Sequence, residues 1–168
     1  ITGALSSLQE DEHQLDPANR RSLIDNALTE AERLNRLVGN LLSMTRLEAG
    51  AMRVSQEPGD VQDVIGAALS QMEQPLADRK VSVIIPEGLP LVPMDFVLIV
   101  QVLVNLLDNA VKYSAPGSPI EVRARLAEAA IEIDVGDHGI GIPPEDRSRV
   151  FDKFYRVPGQ RAARHGTG

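Results

Sequence analysis

Two primary amides lie four residues apart in the stretch NLLDNAVKY, which begins at Asn105. Residues with this spacing share one face of a helix, and asparagine forms helices poorly because its side chain competes for backbone groups. We therefore expect Asn105 and Asn109 to share a polar target, with Lys112 near the same face and Tyr113 beside it. Two amide oxygens, a cation and an aromatic ring suit a metal-bound phosphate and a purine. Hydrogen bonds to neighbouring backbone would explain the amide pair equally well.

The glycine-rich stretch DVGDHGIGIPPED is a second candidate, because Asp137, Gly139 and Gly141 follow a predicted strand. A carboxylate at the end of a strand can accept a hydrogen bond from an exocyclic amine, and glycines let a flat ring approach the backbone. Glycines in such a pattern more commonly make a simple turn. Taken alone, this stretch favours the turn.

The last segment of the chain is basic and rich in glycine. VFDKFYR supplies aromatic side chains and two cations, among them Arg156, and GQRAARHGTG contains Gly166 and ends in Gly168. Backbone N–H groups and the side chains of Arg161 and Arg164 could fold over a polyphosphate. A disordered tail is the alternative interpretation.

Regular elements must position these candidates. VLIVQVLVNLLDNAVKY is apolar on nearly every side and predicts a helix largely covered by protein, capped by Asp95 and ending near Tyr113. We also predict a short strand in MRVSQEP, a helix from Asp60 to about Ala77, a strand in KVSVII, a loop in EGLPLVP and a hairpin that turns near 127–129. This half of the chain therefore predicts a three- or four-stranded sheet with helices on one face, an α+β layer.

The first half predicts a long amphipathic helix from about Pro17 to Glu48, whose apolar residues recur at alternating spacings of three and four. The short apolar segment at 1–8 is too small to cover this stripe. We therefore expect a helical hairpin that dimerises into a four-helix bundle. A single amphipathic helix packed on the second half of the chain is the alternative.

Composition argues against several classes of function. A formal net charge of −7 argues against binding a nucleic-acid backbone, and the absence of cysteine excludes disulfides and thiolate chemistry. The chain begins at Ile1 without a methionine and stops at HGTG, so we expect it to be a fragment of a longer protein.

The order of the motifs resembles the histidine-kinase branch of the GHKL ATPases. NLLDNAVKY is similar to the N box, DHGIGI to the G1 box, VFDKFYR to the F box and GTG to the start of the G2 box. ERLNRLVGNLLSMTRLEAGAMR resembles the second helix of a dimerisation and phosphotransfer bundle. Together with ITGALSSL and LVNLLDNAVKYSAPGSPI, these stretches are most similar to KdpD-type potassium sensor kinases, and the likeness extends over essentially the whole chain.

This resemblance implies a fold and a domain organisation. Residues 1–50 would be a partial dimerisation and histidine-phosphotransfer hairpin, half of a dimeric four-helix bundle. Residues 51–168 would be a GHKL-type α/β sandwich that binds ATP and is truncated after the start of the G2 box.

The resemblance also implies roles for the candidate residues. Asn105 and Asn109 would help hold Mg²⁺ and the ATP phosphates, Lys112 would contact phosphate, and Tyr113 would pack by the adenine. Asp137 would read the adenine amine, while the glycines would shape the pocket and its lid: Gly139, Gly141, Gly166 and Gly168. For Arg156, Arg161 and Arg164, a phosphate role follows only from their charge.

Asn105 separates two activities within the superfamily. Hydrolytic relatives such as gyrase and the MutL repair proteins carry a Glu at this position, which activates water as a general base. An amide cannot take a proton. The resemblance therefore implies an enzyme that positions ATP for transfer to a protein nucleophile rather than to water.

Kinases of this family phosphorylate a His that is followed by an acidic residue and then L-R-T-P. None of His13, His138 and His165 has that context, so we expect the phosphoacceptor to be absent and the fragment unable to autophosphorylate. The intact kinase would pass the phosphoryl group to an Asp of a response-regulator receiver domain and would dimerise through the hairpin. Only segments absent here would contact a membrane, so this would be a cytoplasmic domain of a bacterial inner-membrane protein.

Two other functions stay open from the sequence. One is a helical dimerisation scaffold whose degenerate GHKL domain binds no nucleotide. The other is a hydrolytic GHKL ATPase, which the neutral side chain of Asn105 disfavours.

Overall fold

The computed structural model describes residues 16–48, 54–152 and 155–158. The chain divides into two compact units, Ile1–Val54 and Ser55–Gly168. The first unit contains the helix α1, Pro17–Glu48. The second contains, in chain order, β1 (Glu57–Gly59), α2 (Val61–Gln71), α3 (Glu73–Leu76), β2 (Val81–Ile84), β3 (Val92–Met94), α4 (Phe96–Tyr113), β4 (Ile120–Ala127), β5 (Ala130–Gly136) and the 3₁₀ helix Pro144–Asp146.

Helix α1 has the bounds that its apolar periodicity predicts. Large apolar side chains along its stripe are exposed, namely Ile24, Leu28, Leu34 and Val38. Within the described residues of the first unit, nothing covers this part of the stripe. The other helix of the predicted hairpin would fall within residues 1–15, which lie outside the described residues, so the hairpin stays a prediction.

The second unit has two small sheets. β2 pairs in parallel with β4, β4 pairs antiparallel with β5, and β1 pairs antiparallel with β3. β4 is the central strand, and its alternate residues Ile120, Val122 and Ala124 are buried in the core. Helices α2 and α4 supply the facing side of that core, where Ile65 and Leu107 are almost fully buried. The predicted α+β layer is therefore present.

Helix α2 begins as predicted but ends earlier. Asp60 caps it by accepting a hydrogen bond of 2.8 Å from the Gln62 N–H. The single helix expected as far as Ala77 is wrong, because α2 ends at Gln71 and the short α3 follows. Pro75 explains the break: it has no N–H to donate, and its ring would clash with the Gln71 carbonyl in a continuous helix.

The expected loop in EGLPLVP is partly wrong, because β3 includes its last two residues. β3 pairs with β1, which covers only the end of the strand predicted in MRVSQEP. Pro58 and Pro93 lie directly opposite each other in this pairing. A non-hydrogen-bonded pair in an antiparallel ladder needs no N–H from either residue, so the two prolines are compatible with it.

Helix α4 has its predicted bounds, but the expectation that protein largely covers it is wrong. One face is buried, through Val100, Leu103, Val104, Leu107, Ala110 and Val111. On the opposite face, Val97, Val102 and Leu106 are exposed. Among the described residues, only α4 is long and apolar enough to cross a membrane; its buried face packs within the second unit.

Candidate functional site

The C-terminal end of α4 meets the loop that follows β5. The Ile140 N–H donates a hydrogen bond of 3.1 Å to the Tyr113 carbonyl, and Ser114 forms an isolated antiparallel bridge with Gly139. We call this contact the helix–loop junction, formed by residues 113–114 and 139–140. It brings together the two candidate segments that the sequence places more than twenty residues apart.

Gly139 is required at the junction because there is no room for a side chain. A Cβ at this position would overlap the Tyr113 carbonyl oxygen and lie 2.7 Å from Asp137 Oδ1. Gly141 is required for a different reason, since its φ of +68° lies in the left-handed region. The conformation of the loop therefore requires both glycines, and this conformation brings the loop to α4; a role of the glycines in a ligand pocket stays a prediction.

Asp137 is exposed at the start of the loop. Its Oδ1 accepts a hydrogen bond of 2.7 Å from the Gly139 N–H, which fixes the orientation of the carboxylate. The Oδ2 atom can still accept a hydrogen bond from a ligand amine. This side chain can therefore serve the turn and a ligand at the same time.

Asn105 and Asn109 are both exposed, on a part of α4 that the core does not cover. Because both side chains are accessible to solvent, neither amide carries the cost of a buried amide without a partner. An exposed pair of amide oxygens one helical turn apart is accessible to a ligand.

Lys112 adds a cation one helical turn after Asp108, and the two side chains form an ion pair at the i, i+4 spacing. The Lys112 side chain is half-exposed. The cation is therefore already partly neutralised, and a phosphate would share it with the carboxylate of Asp108. Two amides, a cation and a carboxylate thus lie along the last turns of α4.

Arg79 is a residue of this region that the sequence analysis misses. Its Nη1 donates 2.6 Å to Ser114 Oγ, and its Nη2 donates 2.9 Å to the Val111 carbonyl. Ser114 is buried, and its hydroxyl donates 2.5 Å to the Ala110 carbonyl. These contacts satisfy carbonyls that a helix end leaves without partners. No local pattern reveals the contact, because Arg79 and Ser114 lie 35 residues apart.

The segment after the loop has a contact of its own. The Tyr155 hydroxyl donates to Asp146 Oδ1, and the Arg149 guanidinium lies 4.3 Å from the centre of the Tyr155 ring. The hydrogen bond to the carboxylate raises the pKa of the Tyr155 phenol. Arg156, the following residue, is exposed.

Several predicted residues lie outside the described part of the chain. They are Gly166 and Gly168 of the expected lid, the cations Arg161 and Arg164, and two of the three histidines, His13 and His165. The third histidine, His138, is exposed, and its Nδ1 lies 3.4 Å from the Pro119 carbonyl oxygen.

A cavity of about 600 Å³ lies at the opposite, N-terminal end of α4. Its lining includes four carboxylates, those of Glu57, Asp60, Asp63 and Asp95. Concentrated negative charge repels a polyphosphate. The exposed amide face and the loop are therefore the better candidate site for an anionic ligand.

Comparisons with known proteins show the family of the chain. Residues 94–168 match the family model described as histidine kinase-, DNA gyrase B- and HSP90-like ATPase. The solved structure of the mycobacterial sensor histidine kinase MprB is 31% identical, with a TM-score of 0.56, and the match covers 64% of this chain and 71% of that one. This chain belongs to the sensor histidine kinases.

The kinase chain also has longer relatives. The sensor protein KdpD of Clostridium acetobutylicum is 34% identical over 155 residues, which are 92% of this chain and 17% of that protein. The sensor-like histidine kinase SenX3 of Mycobacterium tuberculosis is 36% identical over 155 residues, which are 91% of this chain and 37% of that protein. The chain thus spans well under two thirds of either relative. The chain is about equally identical to KdpD and to SenX3. These identities support the family but do not favour either subtype of kinase.

The matched residues contain α4, the helix–loop junction and Asp137. The chain therefore contains the ATP-binding catalytic domain of a two-component sensor histidine kinase.

Proposed function

We propose that the kinase domain binds Mg-ATP between the exposed amide face of α4 and the loop at 137–141. Asn105 and Asn109 would hold Mg²⁺ and the phosphates through their amide oxygens, which suit a hard cation. Asp137 Oδ2 would accept a hydrogen bond from the adenine amine, and Tyr113 would pack by the ring. The observation that carries this proposal is the helix–loop junction, where the Ile140 N–H contacts the Tyr113 carbonyl at 3.1 Å.

The remaining polar groups would serve the phosphates. Lys112 would exchange part of its ion pair with Asp108 for a phosphate contact. Arg156 is exposed, and its positive charge would attract the phosphates. The glycines of the loop would shape the pocket, and we extend the same proposal to Gly166 and Gly168 of the lid.

The reaction of the whole kinase would be phosphoryl transfer rather than hydrolysis. Asn105 is neutral and cannot remove a proton from water, so the site would act by positioning ATP and neutralising its charge. The acceptor would be a histidine outside this chain, because none of its three histidines is followed by an acidic residue and then L-R-T-P. An aspartate of a response-regulator receiver domain would take the phosphoryl group next.

The first unit would supply dimerisation. The exposed stripe of α1 supports a bundle with a second copy, because apolar side chains on a long helix gain stability when covered. We propose residues 1–50 as the partial bundle hairpin and residues 51–168 as the catalytic domain. Nucleic acid is not an expected partner, given the net charge of −7.

We also propose a KdpD-type potassium sensor as the parent of this chain, supported by its similarity to KdpD. On this proposal, the chain is cytoplasmic and other segments of the parent protein lie in the bacterial inner membrane.

Titration calorimetry with Mg-ATP tests the binding site. We expect saturable binding that Asn109→Ala and Asp137→Ala both weaken, at temperatures where each variant is fully folded. Asn26→Ala and Asp63→Ala are matched controls, because Asn26 is an exposed residue of the first unit and Asp63 lines the cavity at the other end of α4.

The three candidate functions predict different results in this experiment. If Asn109→Ala and Asp137→Ala bind Mg-ATP as tightly as the native domain, the proposed site is wrong. A folded chain without binding would favour the dimerisation scaffold. Continuing heat after each injection, with steady release of phosphate in a parallel assay, would favour the hydrolytic ATPase.

A further inference from the structure

Arg79 connects four groups near the end of α4. Besides the Ser114 hydroxyl and the Val111 carbonyl, its guanidinium donates to the carbonyls of Ser114 and Ser118, both at 3.4 Å. The side chain is half-buried, in a region where water competes less for these hydrogen bonds. One planar cation therefore ties the last helical turn to the start of the next segment.

Ser114 connects the contacts of Arg79 to the loop. Its backbone leaves the helix in an extended conformation, with φ −113° and ψ 156°, and it then bridges to Gly139. Its hydroxyl is held on both sides, since it accepts from Arg79 and donates to the Ala110 carbonyl. The side-chain contacts of Ser114 thus fix the direction in which the chain leaves α4, and its backbone bridge to Gly139 joins this part of the chain to the loop.

We propose that Arg79 is a positioning residue for the nucleotide site. Through Ser114, it fixes the distance between the α4 groups that would face the phosphates and Asp137, which would face the base. Arg79 need not touch the nucleotide for this role. The inference rests on the proposed function, because it assumes that both segments contact one nucleotide.

Comparing two nucleotides separates positioning from general stability. Inosine triphosphate has the same phosphates as ATP but lacks the exocyclic amine that Asp137 would read. A variant that is only less stable weakens both nucleotides by the same factor, because it reduces the folded population. A variant in which the two segments have shifted relative to each other weakens ATP more and lowers the preference for ATP over inosine triphosphate.

We therefore expect Arg79→Ala to lower the affinity for Mg-ATP by about tenfold. The ratio of the affinity for ATP to the affinity for inosine triphosphate should move toward one. Arg79→Lys should be intermediate, because an ammonium cannot reproduce the planar fork of a guanidinium. Added methylguanidinium should restore part of the preference in Arg79→Ala. Arg125→Ala is the control: its ion pair with Glu132 is exposed on the sheet, and its loss should leave the preference unchanged.

The outcomes distinguish the two proposals. If the native domain shows no saturable binding of Mg-ATP, the proposed function fails and the role of Arg79 fails with it. If the native domain binds and prefers ATP, while both Arg79 variants keep that preference, only the inference about Arg79 is overturned. A lowered preference that methylguanidinium partly restores supports the inference.

Discussion

The two ends of α4 use similar capping chemistry in different surroundings. At the N-terminal end, Asp95 accepts 3.1 Å from the Leu98 N–H through Oδ1 and 3.0 Å from the Ser55 N–H through Oδ2. At the C-terminal end, Arg79 donates to the Val111 carbonyl and the Ser114 hydroxyl. Each side chain opposes the partial charge of the helix end that it caps.

The surroundings decide which end can hold a nucleotide. A helix N-terminus often attracts phosphate, but here Asp95 occupies it and further carboxylates line the adjoining cavity. The C-terminal end instead meets a glycine loop and carries the exposed amides. The apolar helix therefore supplies the framework, while the charges and the loop at its ends determine where an anion can bind.

Replacing Gly139 should disrupt the C-terminal end most severely. In Gly139→Ala, the new methyl group would overlap the Tyr113 carbonyl oxygen, and a backbone carbonyl cannot easily move away. We expect the free energy of unfolding to fall by about 2–3 kcal/mol and Mg-ATP binding to be lost. Urea unfolding and calorimetry measure the two effects.

Gly136→Ala is the control for that experiment. Its Cβ would lie 3.8 Å from the Glu121 carbonyl oxygen, an ordinary van der Waals contact. If Gly139→Ala is as stable as Gly136→Ala and still binds Mg-ATP, the close approach of Gly139 to the Tyr113 carbonyl is contradicted.

Removing the N-terminal cap should affect stability alone. Asp95→Ala removes the acceptor for Leu98 and for Ser55, so we expect the free energy of unfolding to fall by about 1–2 kcal/mol. The affinity for Mg-ATP should not change when it is measured on fully folded protein. Asp95→Asn retains an acceptor and should recover most of the stability. A loss of affinity in folded Asp95→Ala would mean that the two ends are coupled.

Local patterns predict much of this framework. The bounds of α1 and α4, the caps Asp60 and Asp95 and the turn between β4 and β5 all follow from short-range signals. Capping and periodicity depend on residues within a few positions of each other, so one sequence is enough to recognise them.

The missed features depend on long-range contacts. Both faces of α4 are apolar, so periodicity cannot identify the face that packs and leaves the amides exposed. The pairing of β3 with β1 joins two short segments that contain prolines. Arg79 reaches a helix end through tertiary structure only, and the sequence around it carries no signal of that contact.

Removing a carboxylate near the amide face should change the affinity by a smaller amount. Asp108→Asn takes away the partner of Lys112 and makes the cation more available to phosphate. We expect the affinity for Mg-ATP to rise by about twofold to fivefold, the range of an exposed ion pair. Asp63→Asn changes the net charge equally at the acidic cavity and should have little effect. Equal gains in both variants would point to net charge rather than to Lys112.

The smallest expected effect is a pH dependence of stability that arises at Tyr155, in the segment after the glycine loop. Asp146 raises the pKa of Tyr155 above its ordinary value of 10.0, chiefly through their hydrogen bond. A group whose pKa is raised by folding stabilises the fold below its unfolded pKa and loses that contribution as the pH rises through the folded value. The stability advantage of the native domain over Tyr155→Phe should therefore be constant from about pH 7 to about pH 9 and decline above about pH 10.

The chain has two tyrosines, so subtracting the absorbance titration of Tyr155→Phe isolates the Tyr155 phenolate. Asp146→Asn should move that titration to lower pH, and an unchanged curve would show that the carboxylate does not control the phenol.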